Sequence, residues 1–449
     1  MAIERRSDWL DRCARQLLLL LVFSLAFMQP VVPALGFEAV ATDLLFLLTA
    51  LALAASLAAR QTPLAWDRAY LVLAVYFAAL AVSAFASAEP ARSAVKLATQ
   101  VYLLALPVLV VSLVRDSAAL RRALLWWLAG SAAVALVAAA SLTLFVLDPD
   151  NALLDRTLFY FGTLPPGSYP RLRATFLNGN MMCNYLTVSL AILLAAARAG
   201  WIGRAASGWL LAGIGIAAFF TLSPGFGGVL LALGLWLWLA MRESRRSAAR
   251  LALAAGTAAA LLFVALMAAT PIVHETAPFL MRVPGTELVL APSGRLMVWI
   301  DSARTFLADP LIGRGIGNES AHVLYRDPSG HLQRLTDAHN VFLNIAAQCG
   351  IVGVAALLWL IAHAVRRSLP WLLLPGDTNL VRLGLGLGFL NGFVYHGLGG
   401  SWEDARHLWV ALGLLIAAAR IEPRASAAAT ASEADPARGG GETVDAGHA

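Results

Sequence analysis

The chain has 449 residues, 59% of them hydrophobic and only 13% charged, with a mean hydropathy of +0.73. So apolar a composition, gathered in runs of the roughly 20 residues a helix needs to cross a bilayer, excludes a soluble single-core enzyme, a secreted disulfide scaffold and a disordered chain. The formal charge of +6 is almost all arginine, since Lys96 is the one lysine among 33 basic residues; no basic stretch interleaves with stacking aromatics, which excludes a single-strand nucleic-acid binder.

In chain order, apolar runs stand at 16–35, 40–58, 69–87, 94–114, 120–146, 180–198, 206–221, 223–241, 251–270, 340–364, 380–397 and 405–420. They predict an all-α, polytopic integral membrane protein of about twelve transmembrane helices. The first run follows a basic stretch without a small-residue cleavage site, the pattern of a retained helix. The runs flanking Leu222-Ser223-Pro224-Gly225 read either as two helices in a tight hairpin or as one broken helix. Cys13, Cys183 and Cys349 have neither metal-ligand nor disulfide-framework spacing.

Arginines crowd alternate connections, from Arg5 and Arg6 through Arg121 and Arg122 to Arg420 and Arg424. Basic short loops face the cytoplasm, so both termini are expected there. Residues 1–420 then form a single transmembrane domain with two long outer loops, 147–179 and 271–339, and 421–449 reads as a disordered cytoplasmic tail. The outer loops hold basic residues that no topogenic rule requires, and function is expected in them. No internal repeat marks the duplicated halves of a transporter.

Four stretches can carry chemistry. Arg171-Leu172-Arg173 precedes Asn178-Gly179-Asn180 at a helix start, either an anion and hydroxyl cradle at the positive end of the helix dipole or a plain helix cap. In the second loop, Ser293-Gly294-Arg295 opens an amphipathic pattern over Leu296–Leu307, followed by Gly313-Arg314-Gly315-Ile316-Gly317-Asn318. Alternate glycines let backbone amides approach an anion, and they equally well end a helix in a turn. Asp337-Ala338-His339-Asn340 stands at the outer mouth of the next helix. A histidine there can be held in one tautomer as a general base, or can cap the helix at headgroup level. Lys96 opens the fourth span from outside, to meet a phosphate or to snorkel. Asp148-Pro149-Asp150 is read as a turn despite its DxD spacing, His274, His322 and His331 as solvated loop residues, and the charges of Gly399–His407 as a surface ion pair or as a turn that closes over a site.

About a dozen spans, the large outer loop between the ninth and tenth, Ser293-Gly294-Arg295, Gly313–Asn318 and Asp337–Asn340 followed by Leu343 and Gly350 to Gly353 together resemble the O-antigen ligase family of bacterial polysaccharide enzymes. Relatives of that family include O-antigen polymerases and O-linked protein glycosylation ligases. The specific motifs span mainly Arg171 to Asn180 and Ser293 to Gly353. The resemblance implies a GT-C-like fold with a large helical periplasmic loop. It implies an enzyme of the bacterial inner membrane that moves a glycan from undecaprenyl diphosphate onto the lipid A-core oligosaccharide, with its active site facing the periplasm.

The family's essential loop histidine falls on His339, its loop arginine on Arg295 or Arg314, the arginine before the Asn-x-Asn helix on Arg173, and its outer lysine on Lys96. Asn178, Asn180, Asp337 and Asn340 are the expected orienting and sugar-binding residues. Relatives commonly carry Ser-Arg at the turn between the two short spans; this chain has Ser223-Pro224-Gly225-Phe226, so the phosphate role of that arginine passes to Arg171 or Arg173. A lipid diphosphate is already a good leaving group, so the chemistry implied is a metal-independent, inverting displacement without cofactor. A polymerase of the same superfamily is the nearest rival, a protein-glycosylating ligase a weaker one. A lipid-linked glycan transporter would place polar residues at the midplane of several spans, whereas these spans are almost purely Leu, Ala and Val there.

Overall fold

The computed structural model describes residues 2–34, 37–59, 63–163, 166–240, 256, 258, 269–271, 281–282, 284–285, 289–292, 294–326, 332–368 and 378–433. Nearly all of the ninth apolar run, Ser293, His274 and His331 lie outside the described residues.

The described chain is mostly helical. Helix α1 spans Ala2–Ser24, α2 Ala41–Ala58, α3 Ala69–Phe85, α4 Pro90–Leu113 and α5 Ser117–Leu147. After the single turn α6 (Leu154–Thr157) come α7 at Gly179–Arg198, α8 at Arg204–Phe219 and α9 at Phe226–Ala240. The second outer loop contributes α10, Gly294–Ala308. Then α11 covers Val341–Ser368, α12 Thr378–Leu390 and α13 Arg406–Glu433. Every apolar run except the ninth overlaps one of these helices. Five of them, α2, α4, α5, α7 and α11, are long and apolar enough to span a membrane, and α3 and α8 are shorter apolar helices. The runs beside Leu222 are two separate helices with a turn between them, because Pro224 lacks the amide needed to continue α8.

The protein is not all-α. Strands β1 (Val32–Ala34) and β2 (Phe37–Ala39) pair antiparallel, as do β3 (Leu158–Thr163) and β4 (Pro166–Leu172). In the second outer loop β7 (Val289–Pro292) lies between β5 (Ala269–Pro271) and β6 (Met281–Arg282), and β8 (Val323–Arg326) pairs with β9 (Leu332–Leu335). Among its described residues that loop, expected to be helical, holds one helix set among short strands. The strands occur where β-branched and aromatic residues alternate too briefly for a helix and prolines interrupt, as in Leu158-Phe-Tyr-Phe. At the other end of the chain α13 runs to Glu433, so the first part of the tail expected to be disordered is helical; its alanine-rich sequence has the highest intrinsic helix propensity.

Helix α7 is the centre of the bundle, with Met182, Cys183, Tyr185, Leu186 and Val188 fully buried. Trp127 of α5 stacks on Tyr185 at 5.5 Å and donates to Ser189 Oγ. Lipid offers no less apolar a surrounding than a leucine, so such helices associate through close packing rather than the hydrophobic effect. On α12, Gly384 and Gly388 provide it: a Cβ on Gly384 would stand 2.5 Å from Ala195 of α7, and one on Gly388 would stand 3.3 Å from Val188. The outer helices instead turn Leu44, Leu51, Leu71 and Leu136 outward, as lipid-facing positions require.

One irregularity shapes the working end. Helix α11 is broken at Gly350, whose backbone (φ 61°, ψ −161°) only glycine adopts readily. The segment after α10 threads into the break. Ile351 N donates to Pro310 O, Arg314 N to Ala347 O and Gly315 N to Gln348 O. Gly313-Arg314-Gly315-Ile316-Gly317-Asn318 therefore spends its backbone groups on α11 and its glycine spaces on neighbours: Gly315 against Ser87, Gly317 against Lys96. Gln348 clasps the segment, accepting from Gly317 N at 2.9 Å and donating to Asn318 O at 2.9 Å. The glycines serve close packing.

Candidate active site

Five connections meet at one end of the bundle: β4 to α7, the α8–α9 turn, the start of α10, the loop before α11, and the turn before α13. Their side chains and backbones bond one another, Arg171 to Thr221, Arg295 to Gly399, Ser401 to Asp337 and Asn340 to Leu398.

The β3–β4 hairpin brings Arg171 there, since Phe159 pairs with Arg171 and Leu158 with Leu172. Leu172 N bonds Phe220 O at 2.8 Å, which ties the strand to the α8–α9 turn. Arg171 then donates from Nε to Thr221 O and from Nη2 to Asn180 Oδ1, both at 2.9 Å. Asn178 caps α7, accepting from Met181 N at 2.9 Å. Arg173 turns away: its guanidinium lies 4.1 Å above the Phe159 ring and donates to the carbonyls of Asp155 and Leu177. Of these two arginines, Arg171 stands at the turn that Ser223-Pro224 occupies, bonded to Thr221 O, and Arg173 does not.

Arg295, in the first turn of α10, donates from Nη1 to Gly399 O at 2.9 Å. Burial, and then the nearby positive charge of Arg171, push its pKa down to about 10. Burial likewise lowers Arg171. Two desolvated cations that repel each other form a place where an incoming anion is favoured.

His339 lies beside them. Its backbone is left-handed (φ 47°), and the other two non-glycine residues with positive φ among the described residues, Ala174 and Leu222, flank the same site. Such conformations persist where surrounding contacts impose them. Here Asp337 Oδ1 accepts the His339 backbone N–H at 2.6 Å. Asn340 caps α11 through Phe342 N and Leu343 N and donates to Leu398 O. The imidazole Nδ1 stands 3.5 Å from Asp337 Oδ1, and both side chains are partly open to solvent, 47% and 39%. Partial burial lowers the imidazole pKa, Asp337 opposes that shift and Arg295 adds to it. The net direction is downward, so the ring is neutral near pH 7 and able to accept a proton.

The turn before α13 contributes what the sequence reading missed. Its charges fold inward in part, Glu403 buried and Asp404 partly exposed in its pair with Lys96. Glu403 is 1% exposed, accepts from Asn344 Nδ2, and has its pKa pushed up to about 8, chiefly by burial and against the pull of Lys96. Asp404 binds Lys96 and accepts from Gln100 Nε2 at 2.8 Å. Lys96 is therefore engaged within the bundle. His407 is fully buried, its Nε2 2.6 Å from Asn184 Oδ1. The one signal available beforehand was polarity inside apolar runs, as at Asn344, Gln348 and Gln100.

Arg314 sits apart, half-exposed and paired with Asp309 at 3.3 Å. Asp148-Pro149-Asp150 is a turn, with Asn151 Nδ2 donating to Asp148 Oδ2 at 2.9 Å. His322, expected to be solvated, pairs with Glu319 at 2.9 Å beside Arg334.

The structure thus brings together His339, Asp337, Arg295, Arg171 and Asn180, with Asn178 and Asn340 as caps that fix the flanking helices. Residues 183–358 match the family model described as O-antigen ligase. The match takes in Arg295, Asp337, His339 and Asn340, while Arg171, Asn180 and the turn before α13 lie outside it. No curated protein is similar enough to the chain to register as a match.

Proposed function

From the membership of residues 183–358 in the O-antigen ligase family, we infer that the chain is an O-antigen ligase, transferring a glycan from undecaprenyl diphosphate to the lipid A-core oligosaccharide at the outer face of the bacterial inner membrane. The observation that carries this reading is His339, held against Asp337, at the same mouth as the arginines Arg171 and Arg295.

The chemistry follows from those groups. With Nδ1 facing Asp337, Nε2 holds the free lone pair and accepts the proton of the acceptor hydroxyl as that oxygen bonds to the anomeric carbon. The bond from that carbon to the phosphate oxygen breaks, and its electron pair leaves on the diphosphate. Arg295 and Arg171 stabilise the developing charge with charge-assisted hydrogen bonds in a desolvated setting, where such bonds are strongest. Attack from the face opposite the leaving group inverts the anomeric centre.

The test is reconstitution of the purified full chain with undecaprenyl-diphosphate-linked glycan and lipid A-core, in the presence of a chelator. Glycan-bearing lipopolysaccharide is the expected product, and His339→Ala should reduce its rate by roughly 100-fold or more, the usual contribution of a general base. Longer carrier-linked chains in place of that product would make the protein a polymerase. Full activity of His339→Ala would remove the histidine from the chemistry.

A further inference from the structure

The turn before α13 touches the site at successive residues. Leu398 O accepts from Asn340, the cap of α11. Gly399 O accepts from Arg295. Ser401 Oγ donates to Asp337 Oδ1. Trp402 Nε1 donates back to His396 O at 2.8 Å, and Trp409 Nε1 to Glu403 O at 2.8 Å, which fixes the turn on its own helix ends.

The contact of Ser401 bears on the histidine. Asp337 Oδ1 is shared by three groups: the His339 backbone N–H, the Ser401 hydroxyl and, at 3.5 Å, His339 Nδ1. A carboxylate on a partly exposed loop can rotate, and a rotated Asp337 would release both the left-handed turn at His339 and the side of the imidazole it faces. The hydroxyl comes from a different segment of the chain, 64 residues away in sequence, so it ties the orientation of Asp337 to the turn that also carries the Arg295 contact. Histidines used as bases are commonly held by an acceptor on one ring nitrogen, and that acceptor is itself held by further hydrogen bonds.

We propose that Ser401 is a positioning residue for the transfer reaction: by holding Asp337 Oδ1 it fixes the tautomer and direction of His339, so that Nε2 faces the acceptor hydroxyl. Ser401 does not touch the substrate in this scheme. The proposal rests on His339 being the base of the reaction inferred above. Its consequences are separable from a purely structural role through the charges that face His339, namely Asp337 on its own loop and Arg295 from α10. Glu403, Asp404 and Lys96 stand behind Asp337. Loss of the Asp337 contact removes the one interaction that raises the imidazole pKa and leaves burial and Arg295, which lower it.

The experiment uses the full chain in the reconstituted transfer assay, measuring kcat and KM for donor and acceptor between pH 5 and 9. Wild type, Ser401→Ala and Ser401→Thr are compared. Ser401→Ala should lower kcat by roughly 10- to 100-fold, the scale of a misaligned reacting group, with donor KM unchanged. The acid limb of its profile should move to lower pH, and Ser401→Thr, which keeps the hydroxyl, should restore both. An unmoved acid limb in Ser401→Ala, a change confined to KM, or a Thr variant no better than Ala would overturn the assignment of Ser401. Absence of transfer by the wild type would instead fall on the functional reading itself.

Discussion

Arg171 and Arg173 stand two residues apart with the same side chain, and only their surroundings separate them. Arg171 is on a strand whose hairpin partner and whose bond to Phe220 aim it at the α8–α9 turn. Arg173 follows the strand, and its guanidinium is taken up by an aromatic face and two carbonyls. The first has the like charge of Arg295 near it, so a diphosphate bound there relieves repulsion as well as gaining hydrogen bonds. Arg171→Ala should therefore lower kcat/KM for the lipid diphosphate donor by about 10- to 100-fold, the equivalent of the roughly 1.5–3 kcal/mol of a hydrogen bond to a charged group. Arg173→Ala should leave kcat/KM within about threefold of wild type, because its partly buried guanidinium is taken up by Phe159 and two carbonyls and its cation–π contact is worth about 1 kcal/mol. Donor saturation curves for the two variants decide it; the opposite ranking would return the phosphate role to Arg173.

At the scale of elements, the broken helix α11 and the glycine-rich segment form one interlocked unit. A Cβ on Gly313 would come within 2.3 Å of the Gln348 backbone, and one on Gly350 within 2.4 Å of the Leu311 backbone. Neither clash can be relieved by a side-chain rotation, because both partners are main chain. Gly350→Ala adds the cost of a backbone conformation outside the range of L side chains. We expect Gly313→Ala and Gly350→Ala each to destabilise the protein by on the order of 2 to 4 kcal/mol, from overpacking and strain together. A matched Gly285→Ala, whose Cβ would meet no atom within 4 Å, should lose less. Thermal unfolding in detergent is the measurement, and equal midpoints for all three would show that the threading does not hold the fold. The sequence shows the glycine alternation but not its partner: Gly313 and Gly350 are 37 positions apart, and backbone contact at that distance leaves no periodic trace. His339, Asp337 and Arg295 were legible because they stand in outer loops beside apolar runs. Glu403 and Ser401 were not, because a short charged turn looks the same whether it is solvated or folded inward.

For the whole molecule, hydropathy marked the apolar runs, and the described helices other than α6 and α10 overlap them, five being long and apolar enough to span a membrane. The strands of the outer loops were not readable, since four-residue pairings carry too little pattern against a background of apolar residues. Sidedness remains the step that joins fold to function: if the end holding His339 and Arg295 faces the periplasm, the connection after α5 must face it too, and the connection before α5 must face the cytoplasm. Asp150 is exposed on the first of these and Arg122 is exposed in the early turns of α5, beside the second, while Cys183 and Cys349 are buried and Cys13 is partly so. In spheroplasts treated with a membrane-impermeant maleimide, Asp150→Cys should label at once and Arg122→Cys only after lysis, each read against the labelling of the unsubstituted chain. Labelling of Arg122→Cys in intact spheroplasts would invert the molecule, place His339 on the cytoplasmic side and remove periplasmic lipid A-core as its acceptor.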